Sequence, residues 1–241
     1  MASKTTYACT ECGWATVKWV GQCGECQAWD TMREGSASGG KGLGSVRSVK
    51  PAVIVASSAA KPITEISTES VASRSTGVNE FDRVLGGGLV PGAVILLSGE
   101  PGVGKSTLLL EVAAKTAQSG SRVLYVSGEE SVGQIRLRAE RTGALSENLF
   151  LASETDLGTV LGQIEATKPD LLVIDSVQTI AHSEIDGAAG MPSQIREVAT
   201  NLIRVAKDQN LPIVLVGHVT KDGSIAGPRA LEHLVDVVCH F

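Results

Sequence analysis

Aromatic side chains are scarce in this sequence. Phe, Trp and Tyr make up only 3% of the 241 residues, and all three Trp (Trp14, Trp19, Trp29) fall near the start. That asymmetry implies a small N-terminal module separate from a larger core. Long apolar runs are also missing. None approaches the ~20 residues a membrane helix needs, so no membrane partner is expected. The start, Met1-Ala2-Ser3-Lys4-Thr5, leads straight toward cysteines and lacks an apolar signal core. A cytoplasmic location follows as the expectation. A basic excess is lacking too: 21 Lys and Arg stand against 26 Asp and Glu, a net charge of −5. No global field attracts nucleic acid, so any such contact must be local. The composition, 43% hydrophobic and 20% charged, is that of a soluble globular protein.

What the sequence does have is centred on Gly99-Glu100-Pro101-Gly102-Val103-Gly104-Lys105-Ser106. This fits the phosphate-loop pattern G-x-x-x-x-G-K-[ST] at every defined position. The glycines let backbone N–H groups turn inward around a triphosphate. Lys105 can reach the β/γ oxygens and the Ser106 hydroxyl can ligate Mg²⁺. Val94 to Leu97 reads as a buried strand before the loop. Ser106 to Gln118 reads as a helix after it, and its N-terminus turns a positive dipole end toward the phosphates.

Two cysteine pairs precede this core. Cys9, Cys12, Cys23 and Cys26 form C-x₂-C-x₁₀-C-x₂-C. Four thiolates in two tight knuckles suit tetrahedral Zn²⁺. Disulfides or a redox pair are the competing readings. The module is too short for a core of its own, so metal binding would supply the folding energy. The three Trp are expected to cover the site. Between residues 35 and 72 the chain reads as a flexible linker rich in Ser, Gly and Ala. Lys41, Arg47, Lys50 and Lys61 face no acidic residue there before Pro62; the choices are a solvated linker and a weak nucleic-acid tether. The sequence thus predicts a module over 1–34, a linker over 35–72 and an ATPase core over 73–241.

Within the core, Ser75 to Asp82 opens a short helix with an apolar stripe of Phe81, Val84 and Leu85. Arg122 to Ser127 reads as a strand that runs into Gly128-Glu129-Glu130. Ser131 and Gln134 form a capping box for the next helix. Either carboxylate, Glu129 or Glu130, could orient and deprotonate a water attacking a γ-phosphate. The alternative is an acid-rich helix start. Leu149 to Leu151 is a short strand. Leu157, Val160, Leu161 and Ile164 then mark a helix with one buried face. Leu171 to Asp175 is an apolar run ending in Asp, the Walker B pattern, in which a buried strand aims the carboxylate at Mg²⁺; the alternative is a strand-end Asp capping the next turn. Ala181 to Ser193 reads as a mobile loop, and Ile195 to Val205 as an amphipathic helix. Pro212 to Gly217 is a strand with His218 at its end. His218 either contacts the γ-phosphate and couples it to the following loop, or is an ordinary strand-end histidine. Val219 to Arg229 is a second loop, carrying Lys221 and Arg229. Leu234 to Phe241 reads as a last strand interrupted by Asp236. No polar tail follows it, which reads as a truncated chain.

The alternation of strands and helices predicts an α/β fold with a mostly parallel sheet. The order phosphate loop, acidic pair, Walker B resembles the RecA-type ATPases. Thr76 to Leu89, running into Gly99 to Thr107, is similar to RecA and KaiC relatives. The four-cysteine ribbon, Gly217 to Gly223, Ile225 to Arg229 and Leu231-Glu232-His233 narrow the likeness. Together they resemble the RadA (Sms) family of bacterial DNA-repair ATPases, over essentially the whole chain. The resemblance implies a RecA-like phosphate-loop ATPase behind a zinc ribbon, using ATP, Mg²⁺ and Zn²⁺. It implies a homo-hexamer that binds single-stranded DNA and drives branch migration of recombination intermediates beside a RecA-type recombinase, in a manner similar to DnaB-type helicases. By matching position, Lys105, Ser106 and Thr107 bind nucleotide, Asp175 serves Mg²⁺, Glu129 is the base, and the loops at 181–193 and 219–229, the second holding Lys221 and Arg229, correspond to DNA-facing loops of RecA relatives. The family's Lys-Asn-Arg-Phe-Gly motif and Lon-protease-like domain do not occur in this sequence. A KaiC-like regulatory ATPase that acts on a protein partner is the competing reading.

Overall fold

The computed structural model describes residues 6–12, 14–35, 60–65, 72–218 and 231–241. The chain divides into two units, residues 1–60 and 61–241. In the first, β1 (Thr6–Cys9) pairs antiparallel with both β2 (Ala15–Thr16) and β3 (Met32–Gly35). Among the described residues its buried core is Cys9, Cys23 and Met32, with Tyr7, Trp14 and Val20 packed against it. So little apolar area does not hold a fold by itself.

The second unit runs α1 (Asn79–Val84), β4 (Val94–Gly99), α2 (Lys105–Gln118), β5 (Val123–Ser127), α3 (Val132–Thr142), β6 (Leu149–Ser153), α4 (Leu157–Thr167), β7 (Leu171–Asp175), α5 (Pro192–Gln209), β8 (Ile213–His218) and β9 (Val237–His240). The strands form one sheet in the order β6-β5-β7-β8-β4-β9, and every pairing is parallel. The α/β expectation holds. Strands β4, β5 and β7 are buried at every position because helices cover both faces. Alternate residues serve opposite faces. Ile95, Leu97, Tyr125, Val173 and Val214 pack with Leu109 and Leu110 of α2 and Ile135 of α3. Leu96, Leu124, Ile174 and Leu215 pack with Val160 of α4 and with Val198 and Leu202 of α5.

The register sets the site. Gly99 on β4 lies opposite His218 on β8, and Ser127 on β5 lies opposite Asp175 on β7. These four neighbouring strands all end along the carboxyl edge of the sheet, where ligands of such folds sit; Ile174 lies opposite Leu215, so β8 runs two residues past the end of β7.

Three local expectations need correcting. Val84 does not join an apolar stripe; it is 52% exposed, and only Phe81 of α1 is buried. A six-residue helix has too few turns to bury more than one anchor. The stretch after residue 181 is not a loose loop. Gln194 is buried at the start of α5 and accepts from the His182 N–H (2.8 Å). Its Nε2 donates to the carbonyls of Ile185 (2.6 Å), Gly187 (3.1 Å) and His182 (3.3 Å). Asp236 does not interrupt β9 but precedes it, accepting from Val94 N (2.8 Å) and Lys207 Nζ (2.6 Å).

Asp82 anchors the chain entering α1. Its carboxylate accepts from Ser75 Oγ (2.6 Å), Thr76 Oγ1 (2.8 Å) and Thr76 N (2.9 Å). Partial burial pushes its pKa up, but the Ser75 and Thr76 donors outweigh this and hold it below the ordinary value. A depressed folded pKa contributes stability that is complete above the unfolded value of about 3.9 and is lost as pH falls through the folded one. Asp82→Asn should therefore lower the unfolding free energy by about 1 kcal/mol at neutral pH. Urea denaturation of both proteins should show that difference shrinking once pH drops below about 4.

Candidate active site and metal centre

The phosphate loop leaves β4 at Gly99 and enters α2 at Lys105. Gly102 (φ 81°) and Gly104 (φ 109°) occupy the left-handed region that side chains avoid. The Gly104 carbonyl accepts from Thr107 N and Leu108 N, starting α2. Lys105 is buried, and its Nζ donates to the carbonyls of Gly99 (2.9 Å) and Glu100 (2.7 Å). Burial pushes the Lys105 pKa down, while the nearby Asp175 and Glu129 carboxylates pull it back up. Ser106 is half-buried and Thr107 exposed on the first turn of α2.

The other strand ends bring their polar side chains to the same edge. Asp175 is buried, and its Oδ2 accepts a 2.6 Å bond from the Tyr125 hydroxyl. Burial first, then the Asp175 charge, pushes the Tyr125 pKa well up, so the phenol remains a proton donor. Glu129 Oε1 accepts from Ser176 Oγ at 2.7 Å and lies 3.1 Å from His218 Nε2. Both N–H groups of the acidic pair, Glu129 and Glu130, donate to Ser127 Oγ at 3.2 and 3.0 Å. The turn packs tightly because residue 128 is glycine; a Cβ there would lie 2.6 Å from Thr179 Cβ.

The two carboxylates thus part company. Glu129 reaches the ends of β7 and β8. Glu130 is held by Arg138 of α3, whose Nη1 contacts both its oxygens at 2.6 and 2.5 Å. Adjacent residues on a turn point in different directions, which the sequence order alone does not reveal. Gln178 Nε2 donates to the His218 carbonyl at 3.3 Å. His218 Nδ1 and Gln178 Oε1 are buried and have no partner among the described residues. Lys221, Arg229 and the loop carrying them lie outside the described residues. Sequence reasoning missed Tyr125 and Arg138. Tyr125 had one signal, a hydroxyl in the otherwise apolar run Val123-Leu124-Tyr125-Val126. Arg138 had none beyond its helical register.

In the first unit the sulfurs of Cys9, Cys12, Cys23 and Cys26 all lie within 4.8 Å of one another. Cys9 and Cys26 are 3.7 Å apart and Cys12 and Cys23 3.5 Å. A tetrahedral zinc with 2.3 Å Zn–S bonds separates its sulfurs by about 3.8 Å, so the donor set fits that ion. Thr31 Oγ1 and the Cys12 N–H lower the Cys9 thiol to about 6. At Cys26 the Ala28 N–H lowers the pKa, but the crowding sulfurs of Cys12, Cys23 and Cys9, together with burial, raise it to about 12. Four thiolates this close repel one another unless a cation sits among them. The expected aromatic cover is only partly there. Trp14 packs on the Cys9, Cys23 and Met32 core, with its ring against Gly24. Trp19 and Trp29 face solvent, because the small core has room for a single indole.

A family model described as an AAA domain matches residues 61–224. The chain belongs to that family. The match takes in the phosphate loop, Glu129, Asp175 and His218. A second family model, described as a rubredoxin metal binding domain, matches residues 7–34 and takes in all four cysteines. Relatives named DNA repair protein RadA bear out the resemblance. Those of Mycobacterium tuberculosis, Listeria monocytogenes and Bacillus subtilis are 53%, 46% and 44% identical over 99%, 100% and 99% of this chain. The AAA-domain chain spans about half the length of these relatives, 49%, 52% and 52%. No helix among the described residues is long and apolar enough to cross a membrane.

The thiolate cluster should hold one zinc per chain. Cys9→Ser plus Cys26→Ser should abolish it and unfold the ribbon while leaving the thermal transition of residues 61–241 in place. Metal analysis and a calorimetric scan of both proteins check this.

Proposed function

We propose that this chain is the ATP-hydrolysing core, with its zinc ribbon, of a motor that acts on single-stranded DNA in recombination and repair. The observation that carries the reading is the carboxylate of Glu129, shared by Ser176 and His218 at the sheet edge that also holds Lys105 and Asp175. That is the constellation phosphoryl transfer needs: a cation for the phosphates, a carboxylate for the metal and a second carboxylate for the water. The names of the RadA relatives support DNA repair as the setting.

Lys105 exchanges its two carbonyl partners for β/γ oxygens, and α2 turns its N-terminal N–H groups toward the phosphates. Asp175, steadied by Tyr125, and Ser106 hold Mg²⁺, which neutralises charge on the phosphates when bound. Thr107 borders the nucleotide on the first turn of α2. Glu129 orients the attacking water and takes its proton. Its oxygen also touches His218, so occupation of the γ-phosphate position is felt at the end of β8, where the stretch carrying Lys221 and Arg229 begins. Those two cations contact the DNA backbone, and by linkage DNA and ATP raise each other's affinity by the same factor. The working assembly is a homo-hexamer in the cytoplasm that moves recombination intermediates alongside a RecA-type recombinase.

The base assignment separates cleanly by substitution. Glu129→Gln should keep nucleotide binding and lower hydrolysis by about 10²–10⁴-fold. Glu130→Gln should hydrolyse normally and lose about 1 kcal/mol of stability, because it gives up the Arg138 ion pair instead. Single-turnover hydrolysis beside nucleotide-binding isotherms distinguishes the two; normal hydrolysis by Glu129→Gln would transfer the role to its neighbour.

The motor reading is tested by ATP turnover with and without a single-stranded oligonucleotide. Turnover should rise with DNA. Hydrolysis that ignores DNA at every concentration would instead support a KaiC-like regulatory ATPase acting on a protein.

A further inference from the structure

The chain leaves β7 through Ser176 and a short 3₁₀ turn, Val177–Thr179. Val177 and Ile180 are buried in the core and pin this turn from below. Its polar side chains reach three different places. Ser176 is fully buried, and its hydroxyl donates to Glu129 Oε1 at 2.7 Å. Thr179 Oγ1 donates back to the Ser176 carbonyl at 2.7 Å, and its side chain fills the space that Gly128 leaves beside the acidic pair. Gln178 Nε2 donates to the His218 carbonyl at 3.3 Å. The register explains this last bond. Because Ile174 lies opposite Leu215, β7 has ended before β8 reaches His218, and the Gln178 amide stands in for the missing strand. One turn thus ties the base from β5 and the histidine from β8 to the end of β7.

The two side chains that meet Glu129, Ser176 Oγ and His218 Nε2, both meet the same oxygen, Oε1. The side chain is 44% exposed, and Oε2 accepts no hydrogen bond among the described residues. We propose that Ser176 is a positioning residue for hydrolysis, and that it makes Oε2 the atom that takes the proton of the attacking water. The proposal rests on the reading of Glu129 as the base and assigns the atom and its support. An oxygen that already accepts two hydrogen bonds gives up electron density to them and is the poorer proton acceptor; the free oxygen keeps its lone pairs. Holding Oε1 also fixes the plane of the carboxylate before the nucleotide arrives, so less freedom is lost in reaching the reactive geometry. In the step itself the water oxygen bonds to the γ-phosphorus and one water proton passes to Oε2. The bond from the γ-phosphorus to its bridging oxygen breaks, and the electron pair leaves on ADP. Ser176 keeps its own proton throughout.

The test is a double-substitution cycle on the full chain: wild type, Ser176→Ala, Glu129→Gln and the two together. Each protein is followed by single-turnover ATP hydrolysis, by equilibrium binding of a fluorescent, non-hydrolysable ATP analogue and by thermal unfolding. Ser176→Ala should slow hydrolysis about 10-fold to 100-fold, the cost of a misplaced reacting group. Its nucleotide affinity should be unchanged, because Ser176 touches the base and not the phosphates. In the Glu129→Gln background the same substitution should cost nothing further, since no base is left to position. A purely structural role would show the loss in both backgrounds, and that result would overturn the proposal. Weaker nucleotide binding by Ser176→Ala would assign the serine to the phosphate side of the site and overturn it equally. Wild-type hydrolysis by Ser176→Ala beside an inactive Glu129→Gln would reject the positioning role and leave the base reading standing. Normal hydrolysis by Glu129→Gln would reject both. Should Ser176→Ala fail to fold, Ser176→Cys, which keeps the shape and offers only a weak donor, runs through the same cycle with the same expected loss.

Discussion

Glu129 Oε1 receives two side chains from two other strands, Ser176 beyond β7 and His218 at the end of β8. Neither contact would form if the sheet slipped by one residue, because each strand end would then move by about 3.3 Å. The whole site depends on register. Gly99 opposite His218 and Ser127 opposite Asp175 keep the ends within each strand pair level, and Ile174 opposite Leu215 fixes one pair against the other. The register is itself enforced by the core, since strands buried on both faces have no alternative packing that keeps Ile95 and Leu97 on one side and Leu96 on the other.

Much of this was legible in the sequence because the relevant signals are short-range. The phosphate loop, the apolar run ending in Asp175 and the cysteine spacing each occupy a few consecutive residues. Some boundaries followed from periodicity to within a residue, as with α2 beginning at Lys105 rather than Ser106, while α5 runs from Pro192 to Gln209, three and four residues beyond the periodic stretch Ile195 to Val205. What sequence order could not separate was Glu129 from Glu130. They are neighbours in the chain, and only the placement of Ser176, His218 and Arg138, between 8 and 89 residues away, sends them to different partners. Tyr125 was hidden for a similar reason: its partner Asp175 is 50 residues downstream on the adjacent strand. The loose reading of residues 181–193 failed because small and polar composition describes solvent exposure in general. It carries no information about one buried amide, Gln194, that collects the loop's carbonyls.

The two units hold together by different means. Residues 61–241 bury two apolar layers against a sheet, the ordinary route to stability. Among its described residues the ribbon has three that are buried, and four crowded sulfurs. Its backbone is shaped so that N–H groups of Glu11 and Cys12 meet the Cys9 sulfur, and those of Glu25 and Cys26 meet the Cys23 sulfur. These donors spread thiolate charge and fix the knuckles, so the same groups that favour ionisation also orient the ligands.

The Gln194 clamp changes what a ligand would meet at the stretch from His182 to Gly187. Four bonds from one buried side chain have already removed much of the conformational freedom of that segment during folding. A molecule docking there need not supply the ordering free energy that a slack segment demands, and its affinity reflects contacts more directly. The clamp also hangs on the first turn of α5, so a tilt of that helix would carry the segment with it as one piece, and a shift in packing beneath the sheet would arrive at the surface as a displacement.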